Sequence, residues 1–169
     1  MKISYNWLRT ILDFELDAKK TGELLTDIGL EVEKTEFFES IVGGLKGLVI
    51  GEVLKVEKHP NADRLNITKV DVGEKDAYTI VCGAPNVAEN QKVVVALPET
   101  TIYPINNAPF KIKNAKIRGI ASSGMICAED EIGIGNDHDG IIVIKDKVKV
   151  GQMAAEYYDV YTDTVFEIG

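Results

Sequence analysis

Apolar and polar positions alternate along much of this chain, and the breaks in the alternation outline its elements. Leu48, Ile50, Leu54 and Val56 share one parity with Gly51 inside the run. That pattern predicts a strand bent at the glycine, as small barrels require where strands turn corners. After a turn at His59-Pro60-Asn61, Leu65 and Ile67 fall on odd positions but Val70 and Val72 on even ones, so a β-bulge is predicted near Thr68-Lys69. Tyr78, Ile80 and Cys82 make the next strand, between turns at Gly73–Asp76 and Gly83–Asn86. Val93–Leu97 is uninterrupted apolar sequence, the mark of a strand buried on both faces.

The ends read differently. Met1–Ile3 suits an opening strand, Ser4 is a candidate cap for a helix with Leu8, Ile11 and Leu12 on one face, and the single tryptophan, Trp7, is expected to pack. Asp17 is a second cap candidate, its helix running through Leu24, Leu25 and Ile28 to a stop at Gly29. Leu30–Phe38 alternates as a strand with one wet face, Met153–Tyr158 suggests a helical turn, and Val165–Ile168 a strand that belongs with the opening segment. The expected architecture is mainly β with an α+β flank. A five-stranded Greek-key barrel over residues 40–151 is inserted into a small discontinuous element made of residues 1–39 and 152–169.

Two basic groups stand out. Phe110-Lys111-Ile112-Lys113 alternates cleanly, the parity slips at Asn114, and Lys116 and Arg118 follow, with Ser122 and Ser123 just beyond. The lysines and arginine suit phosphate oxygens and the serines suit phosphate or 2′-hydroxyl groups; a solvated strand face gives the same pattern. In the turn after the first barrel strand, Lys58 and Arg64 suit phosphates, with Asn61 beside them. His59 there either stacks on a base or hydrogen-bonds the backbone to fix the loop. The aromatics available for stacking are Tyr78, Tyr103 and Phe110.

Composition narrows the field. An apolar fraction of 45% and a charged fraction of 27% are those of a globular protein. No run of about 18 apolar residues and no basic-then-apolar leader occurs, so neither a membrane span nor a signal peptide is expected. The net charge of −8 is unevenly spread. Residues 1–44 carry 5 basic and 9 acidic side chains, residues 45–118 carry 11 and 8, and residues 119–169 carry 3 and 10. The net-positive third is the barrel, a hint of a polyanion-binding face. Cys82 and Cys127 sit in apolar contexts and read as buried thiols rather than a disulfide or zinc ligands. Asn136–Gly140 lacks the ligand spacing of a calcium loop, and Glu129-Asp130-Glu131 reads as a solvated rim. No G-x-G-x-x-G, P-loop or G-x-S-x-G signature is present.

A family resemblance covers essentially the whole chain. HPNADRL (59–65), KVDVGE (69–74), TIVCGAPNV (79–87), KVVVALP (92–98), KIRGIASSGM (116–125) and ICAEDEIG (126–133) resemble, in order and approximate spacing, a tRNA-binding oligonucleotide-fold module. That module lies in the N-terminal region of the β subunit of bacterial phenylalanine–tRNA ligases, and Ser4–Leu8 and Ile28–Glu33 fit its flank. The resemblance implies an OB-fold, tRNA as a partner and a catalytic α subunit in an α2β2 assembly in the cytoplasm. It also implies that ATP, magnesium and aminoacyl chemistry belong to parts outside these residues, with no active site or cofactor here. It favours RNA contact by Lys58, His59, Asn61, Arg64, Lys111, Lys113, Lys116, Arg118, Ser122 and Ser123. The alternative is a barrel serving chiefly as a protein-interaction module that docks subunits.

Overall fold

The computed structural model describes residues 1–169, which divide into two compact units: residues 1–40 with 161–169, and residues 41–160. The first opens with β1 (Lys2–Ser4) and α1 (Tyr5–Ile11), which starts where it does because the Ser4 hydroxyl accepts the Trp7 N–H at 2.9 Å. Asp17 caps α2 (Ala18–Asp27) in the same way through the Lys20 N–H, at 2.8 Å. At the far end Gly29 adopts φ +97°, and the Gly29 and Leu30 N–H groups return to the Thr26 and Leu25 carbonyls. β2 (Val32–Glu39) follows.

The second unit supplies β3 (Leu48–Lys58), β4 (Asn66–Asp71), β5 (Tyr78–Cys82), β6 (Lys92–Ala96), β7 (Thr101–Ile102) and β8 (Phe110–Lys111). Then come β9 (Ala115–Ile117), β10 (Ile120–Ser122), β11 (Met125–Ile126), β12 (Val143–Ile144) and α3 (Ala154–Tyr157). The chain then returns to the first unit as β13 (Thr162–Ile168), the central strand of an antiparallel sheet between β1 and β2. Phe166 on β13 is buried, with the Tyr5 ring edge-on to it and Gly22 of α2 leaving room beside it.

The main sheet runs β11-β6-β3-β4-β5. It closes because the Ser123 N–H donates to the Thr79 carbonyl at 2.8 Å and the Val81 N–H to the Ser122 hydroxyl at 3.0 Å, which returns β5 to the last strand. β10 and β11 are two halves of that strand, broken at Gly124, where φ is +91° and a Cβ would lie 2.8 Å from the Ala96 carbonyl oxygen. Strand order around the barrel is thus first, second, third, fifth, fourth and back to first. This is the partly open Greek-key barrel of the OB-fold.

Two core layers explain the apolar runs. Val49, Val53, Val70, Ile80, Val93 and Val95 fill the barrel interior. Leu48, Ile50, Val94 and Ala96 point outward, yet Ile102, Ile132 and Ala154 cover them. β3 and β6 are therefore wetted on neither face over these stretches, which is why their sequence does not alternate.

Several expectations are corrected by tertiary pairing. The bulge falls opposite the expected place, on β3: Val53 pairs with Val70 and Lys55 with Lys69, leaving Leu54 unpaired and 51% exposed while Val53 is buried. β4 keeps one phase because Thr68 takes an interior position, its hydroxyl donating to the Ile80 carbonyl at 2.8 Å. Trp7, expected to pack, is 56% exposed, and Ile11 and Leu12 are exposed as well. Residues 152–160, grouped by sequence with the flank, belong to the barrel unit: Val49 pairs with Met153, and Ala154 lies in the outer core layer.

Candidate nucleic-acid interface

In a barrel of this order, oligonucleotides bind on the second and third strands and on the loops joining the first to the second strand and the fourth to the fifth. Here those loops are residues 59–65 and the long excursion from Leu97 to Gly119 that carries β7, β8 and β9. They are tied together by His59. Its Nδ1 accepts the Asn61 N–H at 3.1 Å, so Nε2 carries the hydrogen and donates to the Ile117 carbonyl, also at 3.1 Å. Leu65 meanwhile approaches Gly83 in the loop after β5.

The loop after β5, the segment from Phe110 to Ile117 and the strand around Gly124 line a groove of about 640 Å³, within the usual range for ligand clefts of about 300–1,000 Å³. Its floor is apolar, formed by Cys82, Pro85, Ile112, Met125 and Ile126. Phe110, 44% exposed, stands at its edge and offers a ring for stacking. Lys111 and Lys113 line it with Ile112 buried between them, so the predicted alternation holds at this point. Lys111 also pairs with Glu99 at 2.5 Å, an exposed contact that holds the Glu99 carboxyl below its ordinary range. A second lining segment brings Glu131, His138 and Asp139.

The remaining sequence candidates disperse. Lys58, Asn61 and Arg64 are exposed around the loop that His59 anchors. Lys116 pairs with Ala121 across the β9–β10 hairpin, on the face opposite the groove-lining Ala115 and Ile117. Arg118 is exposed at the hairpin turn with φ +46°. Ser123 is half-buried beside a separate, more polar hollow with Lys75 and Tyr78. Two candidates take structural bonds. His59 is only 4% exposed and engaged at both ring nitrogens, so it fixes the loop and has no face free for a base. Ser122, equally buried, lines the groove, and its hydroxyl accepts the Val81 N–H in barrel closure.

Sequence reasoning missed other residues. Lys69 lies on the outer face of β4, its ammonium donating to the Thr79 hydroxyl on β5 at 2.7 Å; its place between the buried Thr68 and Val70 was the available signal. Glu131 belongs to the expected solvated rim, and His138 and Asp139 to the segment without calcium-loop spacing, yet all three line the groove. His138 Nδ1 meets Asp130 Oδ2 at 2.9 Å, and that hydrogen bond, with the charges of Asp130, Glu131 and Asp139, raises the imidazole pKa above its ordinary value. No local pattern announces that these turns reach the groove.

Comparison with known proteins now bears on this geometry. The model of a family described as a putative tRNA binding domain matches residues 48–153. This chain belongs to that family. The matched span runs from the start of β3 to the entry of α3 and so includes the groove. A phenylalanine–tRNA ligase β subunit of Bacteroides thetaiotaomicron is 53% identical over 168 residues, covering 99% of this chain and 20% of that protein. The corresponding subunit of Neisseria meningitidis is 46% identical over 169 residues, with the same shares. The chain thus spans about a fifth of the length of the curated relatives it matches. Among solved structures, a MetRS-related protein from Pyrococcus horikoshii aligns with a TM-score of 0.44 and 25% identity, over 62% of this chain and 85% of that one. The fold assignment rests on the strand order given above.

Proposed function

We propose that this chain binds tRNA as part of a phenylalanine–tRNA ligase β subunit, and that the groove beside Lys111 and Lys113 is where the RNA backbone enters. The observation that carries the site is the Lys111–Lys113 pair. Both residues line one cleft with an apolar set of neighbours, on the long loop where this barrel type takes oligonucleotides. Asn61, Arg64 and Arg118 extend the contact around the loops that His59 joins. The 53% identity to a ligase β subunit across nearly all of this chain supports the wider reading: a cytoplasmic enzyme in which a catalytic α subunit completes an α2β2 assembly. ATP and magnesium then belong to the remainder of that enzyme, and this chain assists aminoacylation by holding tRNA.

Binding of tRNA by two double variants tests the site. Lys111→Glu/Lys113→Glu should weaken binding and lower the slope of log affinity against log salt. The expected change is about 0.7 per lost contact on single-stranded RNA, or about 0.9 on duplex. Lys116→Glu/Arg118→Glu, outside the groove lining, should change the slope less. Unchanged affinity and slope in the first variant would remove this groove as the site.

A second reading, subunit docking, draws on the flanking unit. Trp7, Ile11, Ile28 and Phe37 are 56%, 58%, 67% and 70% exposed, an unusual concentration of large apolar side chains at a surface. Association of the chain with a catalytic subunit, lost on Phe37→Ser and Ile28→Ser while tRNA binding persists, would assign docking to that unit.

A further inference from the structure

The groove contains two oppositely charged sets that do not pair with each other. Lys111 and Lys113 come from the segment around β8, and Glu131 and Asp139 from the segment after β11. None of the ion pairs in the structure joins them: Lys111 turns to Glu99 and His138 to Asp130, both outside the lining. The carboxylates also keep acceptor capacity. Glu131 uses Oε2 for the Ala128 N–H at 2.7 Å, leaving Oε1, and Asp139 engages only its backbone N–H, donated to Asp137. The same lining includes apolar side chains and the exposed Phe110 ring. A nucleotide has this same division of chemistry, with an anionic backbone, a flat apolar base and a hydrogen-bonding edge.

Resting on the RNA reading above, we infer that the groove holds one unstacked RNA base and selects guanine. In this arrangement Lys111 and Lys113 meet the adjoining phosphates and the carboxylates of Glu131 and Asp139 meet the edge of the base. A carboxylate offers only acceptors, so it rewards a base edge that presents donors and penalises one that presents carbonyls. Guanine places N1–H and N2–H side by side, matching the two oxygens of one carboxylate. Adenine and cytosine each present one exocyclic amine beside an acceptor. Uracil flanks its single N–H with two carbonyl oxygens, which face the carboxylate with like partial charge.

Fluorescence anisotropy with the 169-residue chain tests this. The probes are end-labelled oligouridylates of about eight nucleotides, within the span one such barrel covers, and matched strands with one central guanosine, adenosine or cytidine. The guanosine strand should bind roughly tenfold tighter than the uridine strand, with adenosine and cytidine between. In Glu131→Gln/Asp139→Asn, and to a lesser degree in the exposed single variant Asp139→Asn, the guanosine-to-uridine ratio should fall towards one, whatever the absolute affinities. Equal binding of all four strands by the unaltered chain, or a ratio that survives the double substitution in a protein with unchanged thermal melting, overturns base selection while leaving RNA binding intact. Failure of every strand and of tRNA to bind overturns the RNA reading itself.

Discussion

The imidazole of His59 and the carbonyl of Ile117, separated by 58 positions in sequence, are joined by a 3.1 Å hydrogen bond that ties two loops of the barrel together. The ring is buried and its other nitrogen is occupied by the Asn61 N–H, so one side chain bonds to both loops. His59→Ala removes two part-buried hydrogen bonds, the one to the Ile117 carbonyl and the one from the Asn61 N–H. The expected loss is about 2 kcal/mol, read as a lower urea midpoint with unchanged slope. A midpoint equal to that of the unaltered chain would show that the loops are held by other contacts.

Gly51 marks the tightest passage in β3. A Cβ there would lie 2.9 Å from methyl carbons of both Val70 and Val95 and 3.0 Å from the Asp71 carbonyl oxygen. Gly51→Ala should therefore cost about 1–3 kcal/mol by overpacking, and the accompanying Val70→Ala substitution should recover part of that loss. Denaturation of the single and double variants measures the coupling.

Both thiols should be inert in the folded protein. Cys82 and Cys127 are free and buried, and burial pushes both thiol pKa values up, away from the reactive thiolate. Ellman's reagent should react slowly under native conditions and completely after unfolding; rapid stoichiometric reaction of both would contradict their placement.

His138 should titrate above its ordinary value of 6.5, because Asp130 hydrogen-bonds its Nδ1 and adds an attractive charge. A raised folded-state pKa contributes stability that is fully present below 6.5 and fades as pH rises through the folded value. The ring is exposed, so the effect on unfolding is small. Two-dimensional NMR of the imidazole protons reads the pKa directly, and Asp130→Asn should bring it back towards 6.5. No movement on that substitution would assign the shift to Glu131 and Asp139 instead.

The barrel unit should fold alone. Both core layers are built from residues 45–154, whereas β13 must return from the far end of the chain to join β1 and β2. Residues 41–160, excised, should show a cooperative thermal transition, and the flanking segments in isolation should not. A non-cooperative melt of the excised barrel would make the flank part of its folding unit.

What the sequence determined by itself is what neighbours in the chain determine. The Ser4 and Asp17 caps and the glycine stop at Gly29 are recognisable because each satisfies backbone groups within one helical turn. The doubly buried β6 follows from five successive apolar residues, Val93–Leu97. Tertiary structure decided everything that depends on which distant backbone lies alongside. Whether the bulge fell on β3 or β4 turned on Thr68 finding the Ile80 carbonyl, a partner on another strand. The sequence leaves His59 open between stacking and fixing its loop, and the arrival of the Ile117 carbonyl decides for the loop, as the Val81 N–H gives Ser122 its bond. The acidic turns became part of the groove for the same reason. Charge is a property of a residue, but which cleft it lines is set by the path of the chain between Ala128 and Ile141, and no periodicity encodes that path.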